Sequence, residues 1–261
     1  MLLLIDIGNT NITVGVSDNS QLVADWRIST RDGTTADEFW VLLRMLFDSG
    51  SISLDSIQGL GLSSVVPSMT SIVEHLVQRR LNIPFVNVTS DLDFGLEVRC
   101  ENPQTVGADR LCNAVSGYRR YGGPLVVVDF GTATTFDVVS GDGGYLGGII
   151  APGPETTIAT LHAAAAKLPA VELLFPKSLI GTNTESSMQS GIMFGGVAMI
   201  DGLNRQLKKE LGKNTRIIAT GGLANVFFPQ LETVEAVEPT LTLDGLRIIF
   251  ERCAPASKPA G

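Results

Sequence analysis

The sequence predicts a mixed α/β protein built from two related domains. The first observation behind this prediction is a repeat: the stretch 2–16, LLLIDIGNTNITVGV, returns as 125–139, LVVVDFGTATTFDVV. In each copy an apolar strand ends in an Asp-x-Gly turn, and an alternating strand follows. The second observation is the order of the elements after each copy, where further strands alternate with helices. A chain of 261 residues, 44% of them hydrophobic, is long enough to bury two cores.

The repeat aligns two carboxylates and two glycines at one common offset. Asp6 aligns with Asp129, and Gly8 aligns with Gly131. The sequence therefore indicates a duplicated unit, and in each half the same Asp-x-Gly turn follows the first strand of the repeat.

Apolar periodicity, capping residues and helix stops predict the individual elements. In the first half they are strands across 2–16, a strand over 21–30, a helix over 36–48, a strand over 57–63, a helix over 68–81 and a strand over 85–88. In the second half they are a helix over 108–121, strands over 125–130, 133–139 and 145–150, helices over 156–167 and 187–211, a strand over 216–219, a short helix, a strand near 234–237 and a helix over 242–252.

The domain boundary is predicted near the start of the helix over 108–121. Residues 91–106 before it form a connector with little periodicity and one proline, Pro103. The predicted domains are 1–115 and 116–253, followed by a tail, 254–261, that we expect to be disordered.

Composition excludes several classes of function. The net charge of −8 disfavours nucleic acid as a partner, because phosphates would be repelled. The three cysteines show no C-x-x-C spacing, so neither a disulfide framework nor a zinc site is indicated. No apolar run approaches the roughly 20 residues of a membrane-spanning helix, and the N-terminus does not resemble a signal peptide. We expect a cytoplasmic protein that does not bind membranes.

The opening turn has the chemistry of a phosphate site. Glycine allows close approach, and backbone N–H groups together with Asn9 and Thr10 offer hydrogen bonds to phosphate oxygens. A carboxylate beside phosphates requires a cation, so Asp6 in such a site implies Mg²⁺, held directly or through water. Asn11 and Thr13 extend the polar rim. The alternative is an ordinary turn between strands, and neither a P-loop nor a Rossmann fingerprint is present.

The paired turns, together with Thr220-Gly221-Gly222, resemble the two phosphate motifs and the adenosine motif of the actin, Hsp70 and sugar-kinase superfamily. Within this superfamily, Gly107-Ala108-Asp109-Arg110 resembles the pantothenate motif of type III pantothenate kinases. The resemblance runs from residue 1 to about 250, with motif order and length fitting. It implies two duplicated ribonuclease-H-like domains, each with a mixed sheet flanked by helices, and ATP-dependent phosphorylation of pantothenate to 4′-phosphopantothenate, the first step of coenzyme A synthesis.

The resemblance also implies roles for the residues at 107–110. Asp109 would act as general base on the hydroxyl of pantothenate, and Gly107, Ala108 and Arg110 would help to bind that substrate. The residues themselves allow this interpretation, because a connector entering a helix offers backbone N–H groups, an Arg can bind a carboxylate, and an Asp can accept a proton. The alternative is a helix cap with a surface ion pair.

Further roles follow from the resemblance alone. Asp6, Gly8, Asn9, Thr10, Asn11 and Thr13 would bind ATP together with Thr132, Gly221 and Gly222. Asp129 would hold a monovalent cation, K⁺ or NH4⁺, although the residues also allow a second Mg²⁺ there. Thr184 would contact the substrate across the interface of a homodimer, with the helix over 187–211 as a candidate for dimer contact.

One departure from the family and two alternative functions remain. Cys100 stands where family members commonly have a Tyr that lines the pantothenate pocket. One alternative is another small-molecule kinase of the superfamily, although such relatives lack the motif at 107–110 in this form. The other is a non-catalytic transcriptional regulator similar to the Bvg accessory factors, which would not need Asp109 as a general base.

Overall fold

The computed structural model describes residues 1–165 and 168–254. Contacts divide the chain into two compact units, one formed by Met1–Arg119 with the segment that starts at Thr240, the other by Arg120–Pro239. Lys167, the predicted end of one helix, and the predicted tail beyond Ala254 lie outside the described residues.

The helices and strands follow in chain order. Up to residue 121 they are β1 (Leu2–Ile7), β2 (Asn11–Asp18), β3 (Gln21–Ser29), α1 (Ala36–Ser49), β4 (Gly59–Ser64), α2 (Pro67–Leu76), β5 (Phe85–Asn87), β6 (Glu97–Val98) and α3 (Ala108–Tyr121). From residue 125 they are β7 (Leu125–Phe130), β8 (Ala133–Val139), β9 (Gly144–Pro152), α4 (Pro154–Ala164), α5 (Thr184–Leu211), β10 (Arg216–Thr220), α6 (Ala224–Phe227), β11 (Ala236–Val237) and α7 (Leu241–Cys253).

The first unit is built around β1, which lies at the centre of a five-stranded sheet with the order β3-β2-β1-β4-β5. β1 is antiparallel to β2 and parallel to β4. Alternate side chains of a strand point to opposite faces, so Leu3, Ile5 and Ile7 pack in one core with residues of α1 and α2. Leu4 faces the other way, into a second core with residues of α3 and α7.

Glycines of the first sheet make room for α7. A Cβ built on Gly59 would lie 2.2 Å from the ring of Phe250, and one built on Gly61 would lie 3.1 Å from Leu246. The side chains of α7 therefore fill the space that Cβ atoms of β4 would need. The helix at the end of the described chain completes the core of the first unit.

Two contacts then fix α3 against α7. A Cβ on Gly245 would lie 1.9 Å from the carbonyl oxygen of Cys112, so the two helix backbones touch. Nearby, the hydroxyl of Thr242 donates to Oδ1 of the fully buried Asn113 at 2.7 Å. These contacts set the position of α3, and with it the position of its N-terminus.

The second unit repeats the topology of the first. β7 is antiparallel to β8 and parallel to β10, and within this unit the strands run β9-β8-β7-β10-β11. This is the order and direction of β3-β2-β1-β4-β5. The predicted duplication is therefore confirmed at the level of topology, and the two mixed sheets flanked by helices are those of the predicted fold class.

Most predicted elements begin and end close to the observed residues. α3, β7 and β8 have the predicted limits. α5 begins at Thr184, earlier than predicted, because Asn183 caps it through a bond from Ser186 N to Asn183 Oδ1 of 2.8 Å. The short strand β6 lies in the stretch predicted as a connector.

The last helix differs from the sequence prediction in its partner. The sequence predicts this helix in the domain 116–253, whereas α7 packs on the first unit. The reason is that an amphipathic pattern shows that a helix has a buried face but not which sheet covers that face. The domain limits themselves stay a prediction.

None of the helices in the described ranges is long and apolar enough to cross a membrane.

We expect Gly245→Ala to destabilise the protein by about 1–3 kcal/mol, because the added methyl group overpacks the contact with Cys112. Calorimetry should record a Tm lowered by several degrees. Gly202→Ala is the matched control, since it lies in α5 and a Cβ there meets no atom within 4 Å; this variant should be as stable as wild type or slightly more stable. Equal effects of the two substitutions would contradict the packing argument.

Candidate active site

The Asp6 carboxylate stands at the end of β1 between two hydroxyl residues. In the sheet register Asp6 pairs with Thr13 of β2 and with Ser63 of β4, so the three side chains share one face. That face is the one covered by α3 and α7. Ser63 Oγ donates to Asp6 Oδ1 at 2.7 Å.

The turn that follows β1 is held by its own backbone. The N–H of Gly8 donates to Asn11 O at 2.9 Å, and Thr30, just beyond β3, binds the turn through its hydroxyl to Gly8 O at 2.6 Å and its N–H to Thr10 O at 2.9 Å. Asn9 and Thr10 are exposed. The Gly8 N–H is therefore committed to the turn, and the polar groups that the turn presents to solvent come from Asn9 and Thr10.

The N-terminus of α3 presents Asp109. The helix begins at Ala108, and the Asp109 carboxylate folds back so that its Oδ1 accepts from Arg110 N at 2.8 Å. A Cβ on Gly107 would lie 2.4 Å from that same oxygen. Gly107 is therefore required for this orientation of the carboxylate, a function that its motif position alone does not reveal.

The environment of Asp109 favours proton uptake. Burial raises the pKa of the Asp109 carboxyl above its ordinary value of 3.8, while the N–H and the guanidinium of Arg110 oppose this shift. The positive end of α3 also favours the ionised form. With its raised pKa, the Asp109 carboxylate is a better proton acceptor than an exposed Asp.

Cys112 links the two carboxylates of the first unit. It lies one turn after Asp109 on α3, is fully buried, and is close to Ser63. Burial raises the pKa of the Cys112 thiol well above its ordinary value, and the nearby charges of Asp6 and Asp109 raise it further. Asp6 and Asp109, far apart in sequence, thus belong to one cluster with Ser63 and Cys112.

The Asp129 carboxylate occupies the equivalent place in the second unit. In the register it pairs with Thr135 of β8 and Thr220 of β10. Gly221 follows β10 with a φ of +94°, and a Cβ there would lie 2.4 Å from Asp129 Oδ1. The predicted residues Asp129 and Gly221 are therefore in direct contact, and only glycine fits at 221.

The second turn is supported by the start of α4. Gly131 N donates to Ala133 O at 3.1 Å, which closes the turn as Gly8 closes the first. The carbonyl of Thr132 accepts from Gly153 N at 3.1 Å and from the hydroxyl of Thr156 at 2.6 Å. A Cβ on Gly153 would lie 2.4 Å from Gly131 O, so Gly153 is a site residue that sequence reasoning missed.

The predicted substrate residue Thr184 is the first residue of α5 and is exposed. The preceding segment carries two apolar side chains in solvent, Leu179 at 67% exposure and Ile180 at 80%. This segment is nevertheless anchored, because a Cβ on Gly181 would lie 2.4 Å from Ser187 N and the hydroxyl of Ser190 donates to Leu179 O.

The described residues contain no cluster of three or more His, Cys, Asp or Glu side chains that could hold a metal ion. This fits Mg²⁺ bound with a nucleotide, which takes one or two carboxylates and completes its shell with phosphate and water. Asp6, with hydroxyl residues on both sides, supplies oxygen donors of this kind. Cys100 is a half-buried free thiol.

The model of the type III pantothenate kinase family matches residues 2–206. A curated relative from an Exiguobacterium species, named type III pantothenate kinase, is 46% identical over 252 residues, which covers 97% of this chain and 99% of the relative. The chain belongs to the type III pantothenate kinase family. The resemblance carried by the motif at 107–110 is thereby confirmed at the level of the whole chain, and family membership does not favour the regulator alternative.

Solved structures show the same fold at low sequence identity. A conserved Campylobacter jejuni protein described as a Baf family transcriptional activator superposes with a TM-score of 0.58 at 20% identity, covering 96% of this chain and 98% of that one. The activator of 2-hydroxyisocaproyl-CoA dehydratase from Clostridium difficile, solved with bound ADPNP, gives 0.52 at 13% identity, covering 96% and 94%. At these identities the likeness concerns the fold alone.

Proposed function

We propose that this protein transfers the γ-phosphoryl group of ATP to pantothenate and so makes 4′-phosphopantothenate, the first step of coenzyme A synthesis. Membership in the type III pantothenate kinase family supports this proposal. The observation that carries it is the pair of carboxylates in the first unit, with Asp6 at the end of β1 on the sheet face that α3 covers and Asp109 at the start of α3.

Asp109 is the proposed general base. As the hydroxyl oxygen of pantothenate attacks the γ-phosphorus, the proton of that hydroxyl passes to the Asp109 carboxylate. The bond between the γ-phosphorus and the bridging oxygen to the β-phosphate breaks, and ADP leaves. The raised pKa of Asp109 suits this role, since phosphoryl transfer depends chiefly on positioning and on charge neutralisation.

Pantothenate binding is assigned to the segment around that base. Gly107 and Ala108 bring backbone groups close to the acceptor, and the Arg110 guanidinium offers paired donors for its carboxylate or amide oxygens. Gly107 has a second function, because it leaves room for the Asp109 carboxylate.

ATP is assigned to residues of both units. In the first unit they are Asp6, Gly8, Asn9, Thr10, Asn11 and Thr13, and in the second they are Thr132, Gly221 and Gly222. A kinase that uses ATP requires a divalent cation; we propose Mg²⁺, held by Asp6 directly or through water. When bound, such an ion offsets negative charge on the phosphates.

Asp129 is the proposed ligand of a monovalent cation, K⁺ or NH4⁺. The carboxylate is an oxygen donor pressed against Gly221, so the same contact positions a cation ligand and a residue assigned to ATP. A second Mg²⁺ at Asp129 is the competing assignment.

We further propose a homodimer in which Thr184 acts on the partner's substrate. The support is the anchored segment before α5, which holds Leu179 and Ile180 in solvent beside Thr184. A fixed loop that exposes two large apolar side chains gains stability when a second copy covers them. Thr184, as the first residue of the capped helix, is then carried to that interface.

Asp109→Asn should lower kcat by a factor on the order of 10² or more, with ATP affinity unchanged, because Asn cannot accept the proton. In wild type, the rate should fall as the pH drops through the raised pKa of Asp109, since protonation removes the base; the acid limb should therefore lie above pH 3.8. That limb should be absent from the residual rate of the variant. The measurement is ADP release with Mg²⁺, K⁺ and pantothenate.

The control for this assay omits pantothenate. Rates that do not depend on pantothenate would overturn the proposed function, whereas near-normal turnover of Asp109→Asn would remove only the role of Asp109.

Gly221→Ala should raise the K⁺ concentration needed for half-maximal rate, because a methyl group at 221 displaces the Asp129 carboxylate. The matched control is Gly212→Ala, which has the same strain at a φ of +110° but meets no atom within 4 Å. An effect on Mg²⁺ dependence in place of K⁺ dependence would favour the second-Mg²⁺ assignment.

A heterodimer of Asp109→Asn with Thr184→Ala should regain activity that each variant lacks alone. One of its two sites combines an intact Asp109 with an intact Thr184 from the other protomer, so about half of the wild-type rate is expected. The heterodimer can be isolated by giving the two variants different affinity tags. A fully active monomer, or a heterodimer no better than its parents, would rule out the contribution of Thr184 in trans.

A further inference from the structure

Ser63 is a polar residue of the first unit to which the proposed mechanism assigns no role. It lies at the end of β4, is fully buried, and pairs in register with Asp6. Its Oγ is 2.7 Å from Asp6 Oδ1 and donates to it. A hydrogen bond to an ionised carboxylate is stronger than one between neutral groups and fixes the orientation of the acceptor.

A hydroxyl group has one proton to donate, and Ser63 donates it to Asp6 Oδ1. The fully buried Cys112 thiol of α3 lies close to Ser63.

The second unit shows that this bond is not a simple consequence of the shared topology. Thr220 holds the same register position beside Asp129 that Ser63 holds beside Asp6. Its hydroxyl nevertheless donates to the carbonyl of Glu238 at 2.7 Å. The hydroxyl at this register position in the second unit therefore serves a different acceptor from that of Ser63.

We propose that Ser63 is a positioning residue whose hydroxyl holds the Asp6 carboxylate in the orientation that binds the divalent cation of ATP. The inference rests on the proposed function, which assigns that cation to Asp6. Ser63 acts only through Asp6. Removal of the Ser63 hydroxyl should therefore lower nucleotide affinity in the presence of the divalent cation and leave affinity in its absence unchanged.

The test is calorimetric titration of a non-hydrolysable ATP analogue, with Mg²⁺ and with EDTA. For Ser63→Ala, affinity with Mg²⁺ should fall about tenfold, as expected for a lost hydrogen bond to a charged group, and affinity in EDTA should be unchanged. Ser17→Ala is the matched control: Ser17 is equally buried but pairs with Leu2 at the other end of β1. The Ser17→Ala variant should bind the analogue with the affinity of wild type, both with Mg²⁺ and in EDTA.

A second variant separates positioning from folding. Ser63→Cys keeps the shape of the side chain with a slightly larger atom and supplies only a weak donor, so under reducing conditions it should fold, with its Tm measured alongside, and still lose affinity with Mg²⁺. Wild-type affinity in both Ser63 variants, or an equal loss in EDTA, would overturn the inference while leaving the proposed function intact. If wild type itself bound the analogue no better with Mg²⁺ than without it, the assignment of the cation to Asp6 would fail, and this inference with it.

Discussion

The structure of the first unit depends on the close packing of α7 against glycines. Gly59 and Gly61 leave the first part of β4 without side chains on one face, and residues of α7 fill that space. Gly245 then lets the backbone of α7 touch α3 at Cys112. Because protein interiors are close-packed, each of these contacts leaves little freedom for the next element. The chain of contacts from sheet to α7 to α3 carries Asp109 to the end of β1 where Asp6 lies.

Bringing two carboxylates into one partly buried cluster costs free energy, and the hydrogen bonds of the cluster limit that cost. Asp6 accepts a hydrogen bond from the Ser63 hydroxyl. Asp109 accepts one from the backbone N–H of Arg110 at the positive end of α3. Cys112 stays neutral between them. A divalent cation and a proton from the acceptor would relieve the remaining excess of negative charge. The pairing of two carboxylates is unfavourable by itself, but their negative charge favours binding of the divalent cation and the proton that take part in phosphoryl transfer.

The sequence predicted the features that local patterns encode and missed those that depend on pairing between distant segments. The limits of α3, β7 and β8 followed from periodicity and turn residues, and the Asp-x-Gly repeat revealed the duplication. Ser63 was missed because a serine at the end of a strand is ordinary until the parallel register places it beside Asp6. Gly153 was missed because its contact is with the turn at Gly131, on another element. The partner of α7 was missed because amphipathicity does not name the surface that a helix covers.

The duplication also shows how one scaffold can provide two different ligand environments. In both units a carboxylate ends the central strand, with a hydroxyl residue of the parallel neighbour in register beside it. The two units differ in the next residue of that neighbouring strand, which is Ser64 after Ser63 but Gly221 after Thr220. Since only Gly221 can adopt its backbone conformation, the second unit brings backbone against Asp129, whereas the first unit brings a side-chain hydroxyl against Asp6. The proposed assignment of a divalent cation to Asp6 and a monovalent cation to Asp129 thus places the two ions in different environments, one at a carboxylate bound by a hydroxyl donor and one at a carboxylate packed against backbone.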